Sequence, residues 1–236
     1  MNYAYFSSPV TFYRFAGALA PWFFAAALAS GIAGLYLGLV VAPTDAQQGE
    51  VYRVIFIHVP AAWMSMFIYF VMACYGAVTL SFNTRLAAMM ARALAPTGAM
   101  FTFVALWTGA FWGRPTWGAY WVWDARLTSE LVLLFLYIGF IALANAFEDP
   151  RRGDRAAALL ALIGVVNLPI IYFSVQWWNT LHQGASISFT AAPAMAHTML
   201  AGMLLMAGAC WAYSVAAALA RVRCLIVERE TLARRQ

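Results

Sequence analysis

The sequence predicts an all-α, polytopic membrane protein with six transmembrane helices, both termini cytoplasmic and a short interfacial helix in a tryptophan-rich outer loop. Three observations carry this expectation. Of 236 residues, 64% are hydrophobic and 10% charged, against about 25% charged in an ordinary soluble domain. The apolar residues come in runs longer than the roughly 20 needed to cross about 30 Å of hydrocarbon, with no polar stripe of the kind a buried soluble helix keeps. The basic residues lie between those runs.

Taken in order, the runs place spans at roughly 17 to 41, 54 to 80, 94 to 112, 127 to 147, 156 to 176 and 191 to 220, within a single membrane domain over 1–236. The first run begins after Arg14 and is longer than the 7 to 15 residues of a signal-peptide core, so a retained helix is expected. The net charge is +5, from 14 basic and 9 acidic residues, and every basic residue is Arg. Dispersed between spans, these Arg set orientation and give no nucleic-acid surface. Arg14, Arg85, Arg92, Arg151, Arg152, Arg155, Arg221, Arg223, Arg229, Arg234 and Arg235 fall on one side; Arg53, Arg114 and Arg126 fall on the other. Basic loops stay inside, so both termini are expected in the cytoplasm and the segments 42 to 53, 113 to 126 and 177 to 190 outside. Gly31, Gly34 and Gly38 in the first span and Gly202 and Gly208 in the last suit close helix packing. Cys74, Cys210 and Cys224 form no CxxC pair and suggest neither a disulfide framework nor a metal site.

The unusual chemistry is outside. Phe111-Trp-Gly-Arg-Pro-Thr-Trp-Gly-Ala-Tyr-Trp-Val-Trp-Asp-Ala-Arg126 packs four Trp and a Tyr into one segment. An interfacial aromatic belt would place Trp at both boundaries. Only Trp22 and Trp211 fall near the inner one, whereas Trp112, Trp117, Trp121, Trp123, Trp177 and Trp178 fall at the outer one, which favours a flat apolar platform for a planar ligand. Gly113, Pro115 and Gly118 are expected to break helix, leaving Trp117, Tyr120, Trp121 and Trp123 along one face of a short interfacial helix. Asp124 stands where an N-cap of the fourth span would be, and capping and a direct ligand role are equally open. Arg126 either pairs with Asp124, snorkels to headgroups, or joins Arg114 or Arg53 in binding a carboxylate such as a haem propionate.

Three histidines exist. His58, at the outer start of the second span, and His182, beyond the outer end of the fifth, would flank the aromatic platform. Iron in a porphyrin takes axial ligands on opposite faces, so the pair suits a bis-imidazole haem. A lone histidine would more often make an ordinary interfacial hydrogen bond; the shared side and aromatic context favour ligation for the pair. His197, a turn or more into the sixth span, has a helix–helix bond and a functional role equally open. Glu130 reads as an outward-pointing interfacial carboxylate.

The string Trp117-Gly-Ala-Tyr-Trp-Val-Trp-Asp-Ala-Arg-Leu-Thr-Ser129 resembles the "WWD" signature of the haem-handling superfamily. His-Val-Pro-Ala-Ala-Trp at 58 to 63 and Trp-Trp-Asn-Thr-Leu-His-Gln-Gly at 177 to 184 resemble its two histidine segments. The six-span length is similar to that of the CcmC family of cytochrome c maturation. The resemblance implies a bacterial inner-membrane subunit whose periplasm-facing WWD segment, 111–128, holds haem b as cargo. His58 and His182 would be its iron ligands, Trp117, Trp121, Trp123 and Asp124 its platform, and Arg126 a propionate or chaperone contact.

It further implies delivery of haem to a CcmE-like chaperone, within an ABC-type complex containing CcmA-like ATPase, CcmB-like membrane and small CcmD-like subunits. No GxxxxGK[ST] phosphate loop occurs in the chain, so ATP hydrolysis is expected from a partner and the chain itself is not expected to be an enzyme. Two alternatives stand beside this. A haem lyase or synthetase of the same superfamily would be expected to carry more spans and more intramembrane histidines. A haem translocase would need a polar path between helices, for which His197 is the main candidate.

Overall fold

The computed structural model describes residues 8–182 and 195–233, so the expected start of the sixth span at 191 and the end of the outer segment 177 to 190 lie outside the described residues. The chain is helical throughout, with no strand among the described residues and six helical spans long and apolar enough to cross a membrane. The first, third and fifth spans extend past their most apolar stretch, to Pro9–Val41, Arg85–Trp117 and Pro150–Trp177.

Helix α1 (Pro9–Tyr36) starts with proline at its first position, where no N–H is needed, and runs into a π-helical turn, Leu37–Val41. A loop follows in which the Asp45 carboxylate accepts the N–H groups of Gln47 (2.9 Å) and Gln48 (2.8 Å). It reverses at Gly49, whose φ of 59° favours glycine. A 3₁₀ turn, Glu50–Val54, leads into α2 (Ile55–Phe82), which ends at left-handed Asn83. Helix α3 spans Arg85–Trp117 and closes at Gly118, φ 81°, whose N–H reaches the Arg114 carbonyl at 3.1 Å. Helix α4 covers Ala125–Asn145. The fifth span is in two pieces, α5 (Pro150–Gly164) and α6 (Asn167–Trp177). Pro169 has no N–H to offer the Val165 carbonyl, which instead takes the Leu168 N–H at 3.1 Å. Helix α7 runs His197–Ala233.

Helix α1 packs chiefly on α7, and α2 packs on α3, α5 and α7. At the α1–α7 crossing, a Cβ on Gly34 would lie 3.1 Å from the Gly202 carbonyl oxygen, so the backbones touch where small residues allow it. Gly208, expected to pack similarly, faces open space. At the end carrying the termini, buried Asp154 accepts from Arg92 Nε (2.6 Å) and from both terminal nitrogens of Arg229 (2.8 Å each), tying α3, α5 and α7 together. The three cysteines are free thiols.

The tryptophan-rich segment takes a different form from the one expected. Helix α3 continues through Gly113 and Pro115 to Trp117, and residues 118–124 are not helical, so no separate interfacial helix forms. A Cβ on Gly113 would sit 3.0 Å from the Ala119 carbonyl oxygen, so this glycine admits the returning chain instead of ending the helix.

Candidate functional site

At the end of the bundle opposite the termini, the 42–49 loop, the first three turns of α2, Trp112 of α3, Arg126 of α4, α6 with the chain after it and the start of α7 line a cavity of about 580 Å³, within the usual range for small-molecule sites. His58, His182, Trp112, Arg126, Gln48 and Ala62 line both this chamber and a narrower recess beneath it, which adds Trp117, Gly109 and Glu130.

The two imidazoles are neighbours, with ring centroids 6.3 Å apart and planes inclined by 34°. Each also touches an indole: His58 meets Trp112 edge-on at 5.6 Å, and His182 lies 6.1 Å from Trp117. Trp112 is itself fixed, its Nε1 donating to Gln48 at 2.8 Å.

The protonation pattern of His58 follows from its neighbour. The Thr108 hydroxyl donates to the Val104 carbonyl at 2.6 Å and lies 3.1 Å from His58 Nδ1. With its one hydrogen committed to the backbone, that hydroxyl acts as acceptor. This arrangement suits the Nδ1–H tautomer of His58, the form that leaves the Nε2 lone pair for a ligand. Gly109 packs closely beside it, since a Cβ there would stand 3.0 Å from His58 Cε1.

Asp124 is the N-cap of α4: one carboxylate oxygen accepts the Leu127 N–H at 2.8 Å. The other accepts the Thr180 hydroxyl, whose oxygen in turn accepts the His182 N–H at 3.0 Å. Asp124 lines neither part of the cavity. Of the roles left open by the sequence, the carboxylate thus caps a helix and anchors the histidine turn.

Arg126 lines the cavity while one terminal nitrogen donates to the Ile171 carbonyl at 2.7 Å. Its suggested companions are engaged elsewhere. Arg53 pairs with Glu50 and donates to the Gly38 carbonyl at 2.6 Å. Arg114 donates to the Gly118 carbonyl and lies 5.7 Å from the Tyr120 ring centroid. Trp121 and Trp123 do not line the cavity. They form an edge-to-face pair at 5.3 Å, with Trp123 77% exposed. The Trp121 Nε1 is buried without an acceptor among the described residues.

Two expectations need correction. Glu130 is not an outward-pointing carboxylate: it is 7% exposed, lines the recess and is hydrogen-bonded to the Ser65 hydroxyl at 2.8 Å. His197 is the exposed first residue of α7 and of the sixth span, and not a turn or more into it. Sequence reasoning missed Thr108, Gly109, Thr180 and Gln48. The dipeptide Thr108-Gly109 is the only hint of any of them, a hydroxyl and a missing side chain together in an apolar helix.

Comparison with known proteins adds an independent line. The profile of the family described as CcmC, heme exporter protein C, matches residues 2–236. The chain is 54% identical over 178 residues to heme exporter protein C of Escherichia coli (strain K12), covering 75% of this chain and 73% of that protein. It is 47% identical over 223 residues to heme exporter protein C of Bradyrhizobium diazoefficiens, covering 94% and 84%. It is 41% identical over 192 residues to heme exporter protein C of Paracoccus denitrificans, covering 81% and 79%.

Proposed function

Because this chain belongs to the haem exporter protein C (CcmC) family, we propose that it binds haem between His58 and His182 and presents it, from the outer face of a bacterial inner membrane, to a CcmE-like chaperone. The observation that carries this reading is the neighbouring pair of imidazoles in the wall of the cavity. Ring centroids 6.3 Å apart leave both imidazoles within reach of one bound iron, for which histidine is a usual ligand. With Nδ1–H on Thr108, His58 would offer Nε2 to the iron, the orientation in which ligating histidines are usually fixed.

The remaining residues divide the work. Trp112 and Trp117 provide apolar surface against the imidazoles. The Arg126 nitrogens not spent on Ile171 suit a propionate carboxylate. Asp124 acts on His182 through Thr180. Trp121 and exposed Trp123 stand outside the cavity, where a chaperone taking the cargo would approach. ATP hydrolysis and the remaining assembly are assigned to CcmA-, CcmB- and CcmD-like partners, since this chain carries no phosphate loop.

The test is the visible absorption spectrum of the detergent-purified protein after haem addition, compared with His58→Ala and His182→Ala. A six-coordinate bis-imidazole spectrum that becomes five-coordinate or disappears in both variants is expected. Spectra unchanged by both substitutions would remove the ligand assignment and leave the aromatic face as a partner-docking surface.

A further inference from the structure

At the opposite end of the bundle, α3, α4 and α7 leave a slot of about 260 Å³. Its walls are apolar, with Pro96, Phe140, Ile141 and Leu225, and its rim carries Arg92, Asn145, Arg221 and Cys224. The two arginines differ in their circumstances. Arg92 is neutralised by Asp154 and also donates to Asn145 (3.0 Å) and to the Ala144 carbonyl. Asp154 meanwhile answers Arg229 as well, so one carboxylate serves two guanidinium groups.

Arg221 has no carboxylate partner among the described residues. One terminal nitrogen donates to the Ala93 carbonyl at 3.1 Å and to the Thr97 hydroxyl, both neutral acceptors. The slot's lining thus holds two guanidinium groups and no carboxylate, Arg92 alone being answered by Asp154 from outside it. A half-buried cation without a counter-ion, beside an apolar slot at the end of a transmembrane bundle, matches a ligand that is anionic at its head and apolar in its tail.

We propose that this slot is an anionic phospholipid site, with the lipid phosphate on Arg221 and part of an acyl chain along Pro96, Ile141 and Leu225. It is separate from the histidine cavity and does not depend on what that cavity holds. Arg221 fixes the headgroup because its hydrogen bonds to α3 hold the guanidinium in place. The slot is closed on the inner side by buried Phe140 and open where Pro96 and Cys224 are exposed, so a lipid enters laterally from the bilayer.

The test uses the full chain purified with an equimolar mixture of phosphatidylglycerol and phosphatidylcholine, the retained lipid being counted by native mass spectrometry. The unaltered protein is expected to retain phosphatidylglycerol about fivefold over phosphatidylcholine, the ratio that one arginine near an anionic headgroup confers. Arg221→Gln is expected to bring the two lipids to parity. Cys224→Phe fills the slot from its exposed mouth, leaves the Arg221 hydrogen bonds intact and lowers retention of phosphatidylglycerol, so it decides the matter if Arg221→Gln fails to fold. Glycerol phosphate added in excess should not displace the lipid. Displacement by it would identify a soluble phosphate ligand and overturn the lipid assignment, as would parity in the unaltered protein or a preference that survives both substitutions.

Discussion

His182 is tied to Asp124 through a single hydroxyl: Thr180 accepts the His182 N–H at 3.0 Å and donates its own hydrogen to the carboxylate oxygen that does not cap α4. The aspartate of the tryptophan-rich segment thus holds, through Thr180, the backbone amide of a histidine 58 positions along the chain without entering the cavity.

Replacing Thr180 with Val removes both bonds and keeps the shape. The expected outcome is a haem spectrum shifted toward five-coordinate while His58 still ligates, with Thr180→Ser restoring the six-coordinate form. Asp124→Ala should show the same spectral change and, in addition, lose about 1 kcal/mol of helix capping, read as a lower thermal midpoint than Thr180→Val. Equal spectra in Thr180→Val and the unaltered protein would show that His182 is placed by other contacts.

Thr108 is the corresponding control on His58. In Thr108→Val the tautomer is no longer fixed, and haem affinity is expected to fall about 10- to 100-fold, as for partners of other ligating histidines. Thr108→Ser keeps the acceptor. Nitrogen NMR of the haem-free protein should report Nδ1–H in the unaltered chain and a mixture in Thr108→Val, which tests the tautomer independently of haem.

Gly109→Val should displace the His58 ring, since even a Cβ reaches to 3.0 Å from Cε1. The expected result is loss of the His58 contribution to the spectrum in a chain that remains folded by circular dichroism, an outcome matching His58→Ala.

Asp154→Ala leaves Arg92 and Arg229 without their carboxylate in a largely buried setting. Stability is expected to drop by about 3 kcal/mol, with Asp154→Asn intermediate, and the haem spectrum of the surviving fraction should be unchanged because the cavity lies at the other end of the bundle. The thermal midpoint in detergent and the spectrum together check both halves.

The six spans were legible because a bilayer demands length and apolarity that nothing else in a sequence imitates. Their ends were less so. Gly113 and Pro115 read as breakers, yet Thr116 Oγ1 donates to the Trp112 carbonyl at 2.7 Å within the continuing helix, and Gly113 serves the chain returning beside it. The gathering of His58, His182 and Arg126 around one cavity could be read from the span ends they flank. Thr108 and Thr180 were not legible, because their importance lies in the direction of one hydroxyl hydrogen, which depends on partners 50 and 56 positions away. Glu130 was misread because a carboxylate early in a span normally faces water; only the fold shows Ser65 reaching it from α2.

The break in the fifth span has a mechanical consequence. Arg126 of α4 donates to the Ile171 carbonyl of α6, and Asn167 of α6 donates back to the Ser129 carbonyl of α4 at 2.9 Å. The two elements are cross-stitched by a reciprocal pair of bonds, one running each way. Helix α4 carries Asp124, and α6 leads to His182, so the halves of the Asp124–Thr180–His182 link ride on one rigid strut. The break at Val165–Val166 lies outside this stitched pair, so the link does not depend on the fifth span being one continuous helix.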